Sequence, residues 1–308
     1  MAPVKRYVLW TGRLVVGLCF IWLTYLVFDL SYILLEVKKL FSNFWLLLSM
    51  VFLYLLAFIF RAKAWQLYVN KHVGLRVFVD GVLYSLFMNH LLPVKAGDII
   101  RSGYLARSKK VSWKTALESV FVMRLLDIII LGFIALIGIL YLGLSLSYFF
   151  LMGLLIVGGL LLGSVLLKDN WRKVFINQVR KVHSILFSVK GIVILFLILI
   201  SWCFEALIIL AVTSQFSMSL SYLEAIWVNS FTIAGQVFHF SPGGIGTYES
   251  FMSFALRAFQ IPMKEAYTIA VVTHGFKFIF SFVVGIYLIV SVPIPLKTIK
   301  SWLNRKEG

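Results

Sequence analysis

Apolar residues run along this chain in long blocks, not in short alternations. Six blocks, at residues 14–35, 44–60, 115–142, 148–167, 191–213 and 266–292, are nearly free of charge. Each is close to, or above, the roughly 20 residues a helix needs to cross hydrocarbon. Two further apolar stretches, 77–106 and 222–259, are interrupted, the first by Pro93 and Gly97 and the second by Pro242, Gly243, Gly244 and Gly246. Neither fragment of either stretch is long enough to span comfortably. They predict re-entrant hairpins or broken helices, which survive at membrane depth when buried in protein or lining a cavity. Between the fourth and fifth blocks, residues 169–189 change character. Trp171, Val174, Phe175, Val182, Ile185 and Leu186 recur at helical spacing opposite a basic face. This predicts an amphipathic helix, either lying on an anionic membrane surface or simply covering the bundle.

Composition agrees with the blocks. The 308 residues are 61% hydrophobic and only 13% charged, with a mean hydropathy of +0.98. Soluble domains are about half apolar and a quarter charged, so a soluble enzyme, a disordered chain and a disulfide scaffold are excluded. The predicted fold is an all-α polytopic membrane protein with about six full transmembrane helices and two re-entrant or broken hairpins. Cys19 and Cys203 sit in apolar runs with no pairing or metal spacing. The basic N-terminus precedes a run too long for a cleaved signal, and is read as the first span.

The formal charge of +17 would suggest nucleic acid in a soluble domain. Here it reads as a positive-inside bias. With an inside N-terminus, 23 of the 29 lysines and arginines fall on cytoplasmic segments, Arg61, Arg76, Arg101, Lys109 and Lys181 among them. Only Lys38, Lys39, Arg257 and Lys264 fall outside, while Arg124 and Lys277 lie within spans. Both termini are therefore expected in the cytoplasm.

The two interrupted stretches share a spacing. Pro93 precedes Gly97 as Pro242 precedes Gly246, and an offset of 150 residues carries Lys114 to Lys264, Arg124 to His274 and Asp127 to Lys277. The chain reads as one membrane domain of two halves, 1–145 and 146–308. Each half holds three crossings and a hairpin. An odd number of crossings makes the repeat inverted, a transporter pattern.

Candidate chemistry sits at the breaks and inside the spans. Asn89, Pro93, Gly97, Asp98 and Arg101 make a polar island in the first stretch. Pro242, Gly243, Gly244, Gly246 and Glu249 make a second, where a backbone can approach a ligand and a helix start near Gly246 offers a positive dipole end. Ionisable residues within spans are costly and mark functional candidates: Glu118, Arg124, Asp127, Glu205, His274 and Lys277. Arg124 and Lys277 can hold a lipid phosphate, or can make ion pairs, such as Arg124 with Glu118 or Asp98, that fix the helices. No phosphate-binding loop, zinc-protease helix, hydrolase elbow or paired-aspartate metal motif is present. No enzyme activity, metal or cofactor is expected.

Asn89, Leu92-Pro93, Gly97-Asp98, Arg101, Arg124, Asp127, Pro242-Gly243-Gly244-Ile245-Gly246 and Glu249 together resemble the flippase-like integral membrane family. That family is also called the lysylphosphatidylglycerol synthase transmembrane region, the membrane part of the multiple peptide resistance factor. The resemblance covers nearly the whole chain. It implies a bacterial or archaeal plasma-membrane protein that moves a polar-headed lipid between leaflets. The soluble aminoacyl-transferring domain has no counterpart in the sequence, so synthase activity is not expected. Two other functions fit the residues: a secondary transporter of a small solute or ion, and a membrane subunit supporting a separate lipid-modifying or glycosyl-transferring enzyme. Membrane lipids are the expected partner, and nucleic acid is not.

Overall fold

A computed structural model describes residues 29–69, 72–92, 96–143, 169–216, 218, 220–236 and 242–303, with positions 15, 18, 22, 24 and 25 of an N-terminal helical stretch. The described residues form helices and no strand. In chain order these are α1 (Leu30–Ser42), α2 (Phe44–Val69), α3 (Leu75–Leu91), α4 (Gly97–Arg107), α5 (Trp113–Tyr141), α6 (Asp169–Leu186), α7 (Val189–Thr213), α8 (Tyr222–Gly235), α9 (Thr247–Arg257), α10 (Met263–Ser291) and α11 (Leu296–Leu303). Four of them, α2, α5, α7 and α10, are long and apolar enough to cross a membrane.

Each long helix buries a stripe and exposes large apolar side chains elsewhere. On α2 the stripe is Met50, Tyr54, Ala57, Phe58, Arg61 and Trp65, and on α7 it is Ile194, Ile198, Ser201, Trp202, Glu205 and Ile209. Both repeat every three or four residues, which is one face of a helix. Among the described helices these two form the most extensive pair, and small buried residues on the two stripes, Ala57 and Ser201, suit a close approach of the backbones. Outward, Phe52, Phe133, Phe196 and Val283 are exposed. That pattern suits hydrocarbon solvent, where an exposed Phe costs nothing.

The remaining helices pack in a recurring order. α2 packs on α3, α3 on α4, and α4 on α5; α7 packs on α8, α8 on α9, and α9 on α10. α3 also packs on α10, and α8 on α5. The hairpin α3–α4 is rooted near the start of α5, where Lys110 Nζ donates to the His72 carbonyl at 2.6 Å. The hairpin α8–α9 is held near the other end of α5: Trp227 Nε1 donates to the Ala135 carbonyl at 3.1 Å. Ala135 lies 22 residues beyond Trp113, about 33 Å along the axis at 1.5 Å per residue. The two hairpins therefore enter the bundle from opposite ends.

Three expectations need correction or fall elsewhere. The block 14–35 is not one helix. The Asp29 side chain accepts from the Tyr32 N–H at 3.0 Å and caps a new helix beginning at Leu30, because an aspartate before an apolar run satisfies an otherwise orphan donor. The block 44–60 is longer than its apolar residues, continuing as α2 to Val69, and Arg61 with it is buried rather than cytoplasmic. The expected span 148–167 lies outside the described residues. The amphipathic segment forms α6, turning Val182 and Ile185 onto the bundle, while the side chains of Trp171, Val174 and Phe175 lie outside the described set.

Candidate functional site

The first break is shaped by its proline. Leu92 is extended (φ −106°, ψ 139°), as a residue preceding Pro93 prefers, and α3 stops there. Pro93 itself lies outside the described residues. The chain resumes helically at Gly97, whose N–H donates to Asn89 Oδ1 at 2.9 Å. A Cβ on Gly97 would overlap both the Ser85 carbonyl and the Asn89 side chain. Gly97 thus lets α4 start against the end of α3, and Asn89 fastens the tip.

The second break needs its glycines for backbone reasons. Gly243, Gly244 and Gly246 have φ of 62°, 82° and 87°, the region where a Cβ is penalised. Residues 242–244 form a short 3-10 turn that packs against α3, and a Cβ on Gly243 would overlap Phe278 of α10. The second tip therefore meets α3 and α10 inside the bundle. The start of α9 is not an open anion site. Glu249 Oε2 accepts from the Gly246 N–H at 2.7 Å, while Oε1 meets His274 Nδ1, also at 2.7 Å. The helix supplies its own anion.

Around the tips lies a cavity of about 310 Å³. Its wall carries four cationic side chains, Arg61, Arg101, Arg124 and Lys277, and three carboxylates, Asp98, Asp127 and Glu205. Two of its α5 residues also reach the surface, the Arg124 side chain being 38% and Ile128 48% exposed. The ions differ in how they are held. Arg124 chelates Asp98, with Nε 3.1 and 3.0 Å from the two oxygens and Nη2 2.9 Å from Oδ1. Glu205 bridges two cations from different helices, Arg61 Nη2 at 3.2 Å and Lys277 Nζ at 2.8 Å. Arg61 also lies over Trp202 at 4.1 Å and donates to Ser201 at 3.3 Å; Lys277 reaches Asn229 at 3.4 Å and lies 5.2 Å from the Tyr248 ring. Such charges inside an apolar bundle persist only if paired or liganded.

Arg101 and Asp127 are bound differently. Both are almost fully buried, at 2% and 4% exposure. Arg101 stacks on Trp65 at 4.4 Å, but its Nε has no hydrogen-bond partner, nor does Asp127 Oδ1. Neither forms an ion pair among the described residues. On the far side of the cavity, Tyr248 stacks on His274 at 4.2 Å, and His90 and His274 both pack on Phe278.

Of the residues expected from sequence, Asn89, Asp98, Arg101, Arg124, Asp127, Glu205, Gly243, His274 and Lys277 lie on this wall. Arg101, counted among cytoplasmic charges, is instead buried within it. Glu118 does not belong there. It pairs with Lys181 of α6, so Arg124 takes Asp98 and not Glu118. Gly97, Gly246 and Glu249 sit one step behind the wall, shaping the tips. Gly244 serves the turn, and Pro242 opens it. Sequence reasoning missed Arg61, Tyr54, His90, Trp202, Gln236 and Tyr248, all on the wall, and Asn229 behind it. Arg61 follows directly on an apolar block and Asn229 interrupts one, which was the available signal for both. Among the described residues no group of three or more His, Cys, Asp and Glu could hold a metal ion.

No curated protein and no solved structure matches the chain. A family model does, over residues 10–285, and its description is lysylphosphatidylglycerol synthase TM region. With nine-tenths of its length matched and four membrane-length helices around a charged cavity, the chain belongs to that family of lipid-related membrane domains.

Proposed function

We propose that this protein is a lipid translocase, which carries a polar-headed phospho- or glycolipid between the leaflets of a bacterial or archaeal plasma membrane. The observation that carries the reading is the cavity. Arg124 lies 11 residues into α5, about 16 Å along the helix, and Lys277 lies 14 residues into α10, about 21 Å, so the charged wall sits near the middle of a hydrocarbon core roughly 30 Å thick. A headgroup there exchanges water for fixed ions, while its tails leave beside Ile128 and stay in lipid. The wall needs no cofactor and no nucleotide for this.

The architecture in this reading is an inverted repeat of about six crossings, with α3–α4 and α8–α9 as re-entrant hairpins. Several features support it. α4 and α9 are both 11 residues long and start 150 residues apart; α5 and α10 are both 29 residues long with the same offset. The helix contacts of one set recur in the other, and the hairpins enter from opposite ends. Asp98–Arg124 and Tyr248–His274 then occupy equivalent places, one on each side of the cavity. Lys110, Arg107 and Lys181 gather at the end where α5 begins, through contacts to His72, Pro293 and Glu118. Lys264 pairs with Asp29 at the start of α10. The positive-inside rule makes the first end cytoplasmic, with both termini on that side.

The test is transport in vesicles. Purified protein is reconstituted with tail-labelled lipids, and a membrane-impermeant reductant bleaches the outer leaflet. Bleaching beyond the half seen in protein-free vesicles reports movement. In a background with Cys19 and Cys203 replaced by serine, Ile128→Cys should be blocked by a bulky thiol reagent placed in the mouth. Bleaching equal to that of empty vesicles with every lipid, or no block at Ile128→Cys, removes the reading.

A further inference from the structure

The way the cavity's ions are paired distinguishes classes of headgroup. Arg124 and Asp98 satisfy each other, and Glu205 serves Arg61 and Lys277 together. Arg101 and Asp127 are the exceptions: among the described residues neither forms an ion pair. Both are over nine-tenths buried, both lie on the wall, and each keeps a buried polar atom without a partner, as Arg61 does at its Nε while Glu205 holds its Nη2. Leaving a buried guanidinium and a buried carboxylate apart in one chamber costs more than bringing them together. They make no ion pair with each other. Arg101 is pinned on the Trp65 ring from α4, and Asp127 is carried by α5. A guanidinium so presented is a phosphate donor. A carboxylate so presented accepts from an ammonium.

The two groups ask for different partners. A headgroup with one phosphate and one ammonium satisfies both, an anionic headgroup leaves Asp127 facing its phosphate, and a cationic headgroup without phosphate leaves Arg101 without an anion.

We infer that the cavity selects a zwitterionic phospholipid headgroup of zero net charge, its phosphate on Arg101 and its ammonium on Asp127. This rests on the translocation reading, and the experiment separates the two. Vesicles holding the full-length protein carry one of four tail-labelled lipids: an ethanolamine phospholipid, a glycerol phospholipid, a glycerol phospholipid esterified with lysine, and a trimethylammonium lipid lacking phosphate. The ethanolamine lipid should cross about thirtyfold faster than each of the others, the low end of the penalty for one unmatched buried charge. Asp127→Asn should lower the ratio of ethanolamine to glycerol lipid rates by about as much, because the glycerol lipid gains nothing from the carboxylate. Native mass spectrometry of detergent-solubilised protein gives a second measurement that needs no transport. Ethanolamine phospholipid should be retained by the wild type and lost in Arg101→Gln. If no lipid crosses, the translocation reading fails, and this proposal fails with it. If lipids cross but the glycerol or lysine-esterified lipid keeps pace with the ethanolamine lipid, only this proposal falls. Equal slowing of all lipids in Asp127→Asn, or equal retention in Arg101→Gln, also overturns it.

Discussion

Replacing Glu205 by Gln removes the carboxylate that joins α2, α7 and α10. The substitution keeps the volume and deletes one negative charge between two buried cations. Breaking a buried ion pair by removing one partner typically costs about 3–5 kcal/mol. Here the released cations retain neutral contacts. Arg61 keeps Ser201 and the Trp202 face; Lys277 keeps Asn229 at 3.4 Å and the Tyr248 ring. Cation–ring contacts are worth about 0.5–2 kcal/mol and soften the loss. The expected destabilisation is therefore near the low end, about 3 kcal/mol. A neutral interhelical hydrogen bond in a membrane protein averages only about 0.6 kcal/mol, so the two accounts are well separated. Equilibrium unfolding in mixed micelles, titrated with a denaturing detergent and read by tryptophan fluorescence, measures the difference. Lys277→Met alone should cost less, since Arg61 still holds Glu205, and adding it to Glu205→Gln should recover part of the loss. A destabilisation below about 1 kcal/mol, or strict additivity of the two changes, would refute the triad as an ionic lock.

Asn89→Ala should cost about 1 kcal/mol by freeing the Gly97 N–H, seen as faster amide hydrogen exchange confined to the start of α4. Gly246→Ala should destabilise by about 1–2 kcal/mol from its φ alone, measured by the same unfolding titration, and so is a poor probe of transport. Single cysteines at Arg76 and Lys109 should label from the same membrane face, because His72 and Lys110 are bonded; labelling from opposite faces would make α3–α4 a full crossing. Arg124→Asp should abolish lipid movement with the protein still inserted, and adding Asp98→Arg should restore a measurable part of it in the vesicle assay.

Much of this architecture can be read from the chain because membrane helices advertise themselves by length, and breaks by Pro and Gly. The ends of α5, α7 and α10 follow from apolar blocks, and the 150-residue offset reappears as helices of equal length. What is not legible is pairing across distance. Arg61 ends an apolar run and so reads as a loop charge; its partner Glu205 stands 144 positions away. Glu118 and Asp98 are equally plausible partners for Arg124 until α6 brings Lys181 to the first. The glycines of the second break suggest ligand approach, but their positive φ values serve the turn, and Glu249 fills the helix end they seemed to leave open. That last point had a local signal, a glutamate three residues past Gly246, the spacing of a capping box.

The cross-fastening of the hairpins bears on how such a fold can be divided. Tyr84 of the first hairpin donates to the carbonyls of Leu288 and Val292 on and just beyond α10, and Gly285 leaves room there for Phe87. Trp227 of the second bonds Ala135 on α5 and fills the place of a side chain at Gly138. Each hairpin is thus clasped by a helix from the other side of residues 144–168, like two hands holding each other's wrists. A chain severed within 144–168 would yield two fragments that each expose a cleft shaped for the other's aromatic ring. Neither fragment could close its own core, so the smallest self-sufficient unit of this architecture is a pair, whether joined by a peptide bond or not.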